Sequence, residues 1–373
     1  MKRVNFYIDN LRIGGFQRLC LDQAYAFSGA GFSVEIHVLC SQGSSNPSFL
    51  SAESSLIENH NLRINYLSGS FSLQLRSVQE MLKSITRQDI VICHSLRATA
   101  LLWLGQRLAS EKIVFLTTIH QLPTLSAPKQ RLQRFVYSQL SPVLTAYSQA
   151  VIEDWTMRVN NFPLPIRKLF QKDILLQRNG IYLPRVSNSV GLKASSVTSR
   201  LIYLGRISSW KGMETFFEFA RNSQLSDFRL LVIVPEISES LLTNLQNEFG
   251  DRIEFQIGGS FSSYVPMQGD VHFYAAQYGE KAKYIESISL NCLEMASVGT
   301  PSVVTRGGLN TWPDLTQMKL FWECNWNNAE HVVASILEAS RIHLSHQEIS
   351  HIRNLIDVNR NVTGILGLLG KKS

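Results

Sequence analysis

The apolar run Val4-Asn5-Phe6-Tyr7-Ile8 has the length and composition of a buried strand. After a polar loop from Asp9 to Gly15, Phe16, Leu19, Cys20, Ala24 and Phe27 recur at the three- and four-residue intervals of a helix with one buried face. Gly29-Ala30-Gly31 stops that helix, and residues 34–39 form the next strand. Strand, glycine loop, helix and strand make a βαβ unit, so a parallel sheet covered by helices is expected. Residues 90–93 and 113–116 read as further buried strands, with a helical stretch over 98–108 between them.

Near Arg185 the pattern changes. Residues 186–199 are Ser-rich and lack an apolar period, which predicts a linker. The same grammar then restarts. Residues 201–204 form a strand ending at Gly205, Met213, Phe216, Phe217 and Ala220 mark a helix, and 229–234 form another strand. An α/β class follows, with two Rossmann-like domains facing a cleft: 1–185, a linker 186–200, and 201–350. Residues 351–373 are expected to be polar-helical and to pack back on the first domain.

Composition narrows the class. The 373 residues are 45% apolar and 17% charged, too hydrophobic for a disordered chain and longer than one core organises. No stretch approaches the roughly 20 consecutive apolar residues of a membrane span. Asn5, Asp9 and Asn10 interrupt the segment after Lys2 and Arg3, so no signal peptide is expected. The five cysteines are scattered without a C-x-x-C pair, which suits a reducing compartment and a cytoplasmic protein. The net charge of +7 favours anionic partners, but no basic stripe interleaved with aromatics is present, so nucleic acid is not expected to be one. The densest run, Lys129-Gln130-Arg131-Leu132-Gln133-Arg134, predicts an amphipathic helix whose cationic face is either solvated or rests on an anionic membrane surface.

Several loops carry candidate chemistry. Gly14-Gly15 lies between the first strand and the first helix, where glycine lets the backbone approach a ligand and the helix N-terminus offers N–H groups to an anion. A plain tight turn uses the same residues, and the full G-x-G-x-x-G pattern is absent. Gly205-Arg206-Ile207-Ser208-Ser209-Trp210-Lys211-Gly212 sets two cations in a loop leaving a strand, at the carboxyl edge where open α/β sheets bind ligands. An arginine fork and a lysine point charge together suit a diphosphate. Glu286 and Glu294 would be about 80° out of phase on one helix. Glu286 is therefore expected in the loop before the helix and Glu294 two turns into it. His120, just past the strand end Leu116-Thr117-Thr118-Ile119, is placed to bond a substrate hydroxyl or phosphate. His346 and His351 lack the spacing of a zincin pair, so no metal site is expected.

Taken together these segments resemble glycosyltransferase family 4, the retaining nucleotide-sugar transferases of GT-B fold. The resemblance runs along almost the whole chain. Gly14-Gly15-Phe16, Gly31-Phe32-Ser33-Val34, Thr118-Ile119-His120, Ala146-Tyr147-Ser148 and Asn179-Gly180-Ile181 match its shorter signatures. Gly205-Arg206 with Lys211-Gly212, and Glu286 with Glu294-Met295-Ala296-Ser297-Val298-Gly299-Thr300-Pro301, match its specific ones. The resemblance implies transfer of a sugar from a nucleoside-diphosphate donor to a hydroxyl of a glycan or lipid-linked acceptor, with retention at the anomeric carbon. Arg206 and Lys211 would bind the donor diphosphate with the Gly15 loop, Glu294 the ribose and Glu286 the donor sugar, while His120 would face the reacting sugar. Ser289 and Leu290 stand where the family has a glycine-rich segment bordering the phosphates. No metal or other cofactor is implied. The role implied is synthesis of bacterial surface polysaccharide or lipopolysaccharide at the inner face of the membrane. Residues 275–284 depart from the family pattern, which leaves the sugar open. A sugar-nucleotide epimerase or hydrolase and a non-catalytic nucleotide-sugar-binding protein are the alternatives.

Overall fold

The computed structural model describes residues 2–11, 14–40, 47–86, 89–109, 114–119, 121–123, 137, 139–141, 143–147, 149–160, 163–171, 173–186, 198–208, 211–259, 261–276, 284–286, 289–305 and 312–370. The chain divides into two compact units, one of Met1–Tyr182, Ile285–Ser287 and Val358–Ser373, the other of Leu183–Tyr284 and Ile288–Asp357.

In the first unit the strands are β1 (Arg3–Ile8), β2 (Ser33–Val38), β3 (Arg63–Tyr66), β4 (Ile90–Cys93), β5 (Phe115–Ile119), β6 (Gln121–Pro123), β7 (Val143–Ala146) and β8 (Ile174–Leu176). Seven of them form a parallel sheet in the order β3-β2-β1-β4-β5-β7-β8. Its helices are α1 (Gly15–Gly29), α2 (Pro47–Asn59), α3 (Phe71–Ser84), α4 (Leu96–Ala109), α5 (Gln149–Asn160) and α6 (Leu164–Phe170). β1 is buried at every position from Val4 to Ile8, as a central parallel strand covered on both faces must be. Phe6 meets Phe27 of α1 edge-on at 5.9 Å.

In the second unit β9 (Arg200–Leu204), β10 (Arg229–Val234), β11 (Ile253–Ile257), β12 (Val271–Tyr274), β14 (Ser302–Thr305) and β15 (Phe321–Cys324) form a parallel sheet in the order β11-β10-β9-β12-β14-β15. The helices are α7 (Met213–Ala220), α8 (Glu239–Phe249), α9 (Leu290–Ser297), α10 (Pro313–Gln317), α11 (Ala329–Ala339) and α12 (His346–Ile356). Both sheets start at a central strand, build outward to one side and then reverse, which is the doubly wound Rossmann-like plan. An aromatic core of Phe216, Phe219, Phe273 and Trp326 fills the second unit, with Phe273 and Trp326 at 4.9 Å. A capping box between Ser345 and Glu348 starts α12.

Two expectations need correction. Residues 351–370 are not uniformly polar: α13 (Asn359–Gly370) buries Val362 and Ile365 in the first unit's core, against α1. Glu286 is not in an open loop before α9. It ends a short strand, β13 (Tyr284–Glu286), paired with β6, and residues 285–286 group with the first unit. Alternation of Tyr284-Ile285-Glu286 is too short to show as a strand in sequence. His120, the run 129–134, most of the linker and the Glu286 side chain lie outside the described residues.

Candidate functional site

β9 and β12 are neighbours where the order of the second sheet reverses, and the space beyond their carboxyl ends is where such sheets take ligands. The loop leaving β9 is fixed by its backbone. Gly205 turns at φ +143°, and its N–H donates to the Ile233 carbonyl at 3.1 Å. Gly212 N-caps α7 at φ +76°, where a Cβ would overlap the Ala275 carbonyl, so the position demands glycine. Between them the buried Tyr203 hydroxyl donates to the Arg206 carbonyl at 2.7 Å. That bond pins the Arg206 backbone and leaves its side chain exposed.

Lys211 is half-buried. Its Nζ donates to the Tyr274 hydroxyl at 3.1 Å and lies 5.4 Å from the centre of that ring. The hydroxyl oxygen and the ring face both favour an ammonium. The Lys211 N–H also donates to the Ser208 carbonyl at 3.0 Å. Ser208 Oγ is buried with no hydrogen-bond partner among the described residues, and a bound ligand would satisfy it.

The first turn of α9 closes this edge. Ser289 caps it, its Oγ accepting from the Asn291 N–H at 3.3 Å, and Leu290 is buried behind the cap. Asn291 Nδ2 donates to the Leu204 carbonyl at 2.8 Å, tying the helix start to the end of β9. Helix N-termini carry partial positive charge, so this end of α9 joins Arg206 and Lys211 as a third positive feature at one sheet edge. Burial pushes the Cys292 thiol up to about 12, against the pull of the Lys211 charge. It stays neutral and adds no competing anion. Glu294, in the second turn, is fully buried with both carboxylate oxygens shielded from solvent, so a ligand gains access to it only through local rearrangement. The arrangement as a whole can hold a compact polyanion and stabilise charge that develops on it.

The structure thus brings Arg206, Lys211, Ser289, Leu290 and Glu294 into one unit around the β9 and α9 ends. Gly15 belongs to the first unit, as the first residue of α1, and a Cβ on it would meet nothing within 4 Å. Tyr274, Ser208 and Asn291 were not among the expected binding residues. Asn291 follows Ser289 and Leu290 in the segment where the chain departs from the family pattern, and that departure was the available signal; Tyr274 ends a strand that matches the pattern and carried none. Among the described residues no group of three His, Cys, Asp or Glu side chains could hold a metal ion, and no helix is long and apolar enough to cross a membrane.

No protein-family model matches the sequence, and no curated protein matches it either. Solved structures do match in shape. The chain is similar to Anabaena HepE in complex with UDP-glucose, at TM-score 0.64 and 12% identity, over 100% of this chain and 99% of that one. It is similar to a glycosyltransferase from Rickettsia africae ESF-5, at TM-score 0.68 and 16% identity, over 99% and 98% of the two chains. It is also similar to the lipopolysaccharide outer core galactosyltransferase WaaB, at TM-score 0.62 and 12% identity, over 98% and 99%. At these identities the likeness shows the fold: two Rossmann-like domains in one chain, the GT-B fold.

Proposed function

We propose that this chain is a retaining glycosyltransferase of the family 4 type, moving a sugar from a nucleoside-diphosphate donor to a hydroxyl of a glycan or lipid-linked acceptor. The observation that carries the reading is the convergence of Arg206, Lys211 and the capped N-terminus of α9 at the carboxyl edge of the second sheet. In the transfer, the bond from the anomeric carbon to the donor phosphate oxygen breaks and one to the acceptor oxygen forms. The acceptor proton leaves with the diphosphate or to solvent. Negative charge grows on the departing diphosphate, and preorganised cations and helix N–H groups stabilise that charge directly. The chain's own cations supply this role, so no metal is required. On this reading Glu294 holds the ribose once α9 rearranges locally, and the roles assigned to Glu286 and His120 (donor sugar) and to Gly15 (phosphates) rest on the family resemblance alone. The GT-B fold, with neighbours that include a UDP-glucose complex and a lipopolysaccharide galactosyltransferase, supports this class. The likeness to WaaB favours a place in surface polysaccharide or lipopolysaccharide synthesis, and the position at the inner face of the membrane rests on the sequence reading alone.

A thermal-shift panel of UDP-, GDP-, ADP- and dTDP-sugars tests the donor reading. One nucleotide class is expected to stabilise the protein selectively, and UDP-glucose is the first to try. No stabilisation by any of them, in a chain that melts cooperatively, would refute it.

A further inference from the structure

The carboxyl edge of the first sheet carries a second polar cluster. Gln74 on α3 is 2% exposed, and its Nε2 donates to the carbonyls of Leu39 at 2.6 Å and Leu67 at 2.8 Å, just past β2 and β3. With both amide hydrogens committed, Gln74 Oε1 is fixed in direction, and it accepts from Arg97 Nη2 at 2.7 Å. A buried amide therefore holds an exposed guanidinium in the first turn of α4.

Asp9 follows β1 and Ser95 follows β4, the two strands at which this sheet's order reverses. Ser95 Oγ donates to Asp9 Oδ1 at 2.7 Å and accepts from the Ala98 N–H at 3.1 Å. Gln17, 4% exposed beside the same loop, donates to Asn10 Oδ1 at 3.1 Å and keeps its own Oε1 buried without a partner among the described residues. Burial pushes the Asp9 carboxyl up, and the Ser95 bond and Arg97 charge offset this only in part.

A structural ion pair would join the two charges. Here the guanidinium is committed to Gln74 and its charge is felt at the Asp9 carboxyl, and among the described residues the rest of its fork makes no further hydrogen bond. That is a preorganised site at the edge where α/β sheets bind ligands. Opposite charges set side by side match a ligand with an anionic group next to a hydroxyl, the fork taking the anion and the carboxylate accepting the hydroxyl. We propose that Asp9, Ser95 and Arg97 form a binding site for an anionic, hydroxyl-bearing acceptor, namely a sugar carrying a phosphate or a carboxylate. That the ligand is the acceptor rests on the transfer reading; the site itself does not.

Isothermal titration of the full chain with glucose 6-phosphate, glucuronate and methyl glucoside tests this. The first two separate phosphate from carboxylate, and the third lacks the charge. At least one anionic probe is expected to bind on the order of tenfold tighter than methyl glucoside or better. Arg97→Met should weaken that probe by about tenfold or more, Arg97→Lys by less, and both should leave UDP binding unchanged. Asp9→Asn should weaken the same probe while its melting temperature at pH 7 holds or rises, because the change removes a buried charge; a merely structural aspartate would lose stability. Binding of neither anionic probe, equal binding of all three, undiminished binding in Arg97→Met, or a lowered melting temperature in Asp9→Asn with binding intact would each overturn the proposal. Absence of UDP binding in the unaltered protein would count against the donor site alone and leave this one standing.

Discussion

Tyr274 holds Lys211 in two ways at once: its hydroxyl accepts from Nζ at 3.1 Å, and its ring faces the ammonium at 5.4 Å. Lysine carries a flexible four-carbon stem, so this contact confines a charge that would otherwise sweep through solvent. Lys211→Met removes the charge and should lower kcat/KM for sugar transfer on the order of 10²-fold. Tyr274→Phe keeps the ring and loses only the acceptor oxygen. A smaller loss is expected there, up to about tenfold, and it should fall on kcat more than on the melting temperature. Full activity in Lys211→Met would remove the lysine from the proposed diphosphate site.

Arg206 differs from Lys211 in how it is positioned. Its side chain is exposed, and its backbone carbonyl is pinned by the buried Tyr203 hydroxyl. Arg206→Ala should therefore leave the denaturant midpoint nearly unchanged while lowering transfer on the order of 10²-fold. Tyr203→Phe should do the reverse in proportion. Stability drops by about 1 kcal/mol with the lost buried bond, and activity drops less than in Arg206→Ala. Chemical denaturation and steady-state kinetics on the pair separate the two roles.

Two glycines give opposite expectations. At Gly212 a methyl group would overlap the Ala275 carbonyl in a left-handed backbone, so Gly212→Ala should cost at least about 1–3 kcal/mol in urea unfolding of the second unit. At Gly15 a methyl group meets nothing within 4 Å. Gly15→Ala should leave stability unchanged or slightly raised, since alanine is the better helix former. A fall in donor use with stability intact would show that the space beside Gly15 is kept for a ligand.

The central strands were legible and the edges were not. β1, β4, β9 and β10 are buried along nearly their whole length, so their sequences are almost wholly apolar, with Asn5 the one polar residue inside them. β3, β8, β11 and β15 sit at the ends of the two sheets. There Arg63-Ile64-Asn65-Tyr66 and Ile253-Glu254-Phe255-Gln256-Ile257 mix polar and half-buried positions, and no period stands out. The loop from Gly205 to Gly212 was legible in the sequence because glycine and paired cations are chemically distinctive in a short span. The Gln74, Arg97 and Asp9 cluster was not, because its members lie 65 and 23 residues apart in the chain and only the sheet reversal brings their elements to one edge. Tyr274 stayed hidden for a related reason: a tyrosine ending a strand reads as core until its hydroxyl is seen to face a lysine.

Acid should destabilise each unit through a buried histidine held neutral in the fold, His37 in the first and His272 in the second. His272 is fully buried in β12 with Nδ1 2.9 Å from Ser302 Oγ, and burial holds its pKa down to about 3. His37 is buried in β2 with Nε2 3.2 Å from Asn5 Oδ1 and held at about 4, against an ordinary value of 6.5. In the unfolded chain both take up a proton below about pH 6.5. Between that point and their native values the unfolded state binds more protons, so stability falls as pH falls. The window runs from about pH 6.5 down to 4 for His37 and on to 3 for His272, with a limiting slope of about 1.4 kcal/mol per pH unit for each group. Urea midpoints measured at intervals from pH 7 to 4 should show this slope. His272→Gln should flatten it for the transition of the second unit and His37→Gln for that of the first, each at some cost in stability at pH 7. An unaltered slope in both variants would assign the acid sensitivity to carboxylates with lowered pKa, among them Asp89 beside Arg3 and Glu248 beside Arg221. Their contribution is lost at lower pH, below the ordinary carboxylate range. A loss of stability already under way between pH 6.5 and 5 therefore points to the histidines.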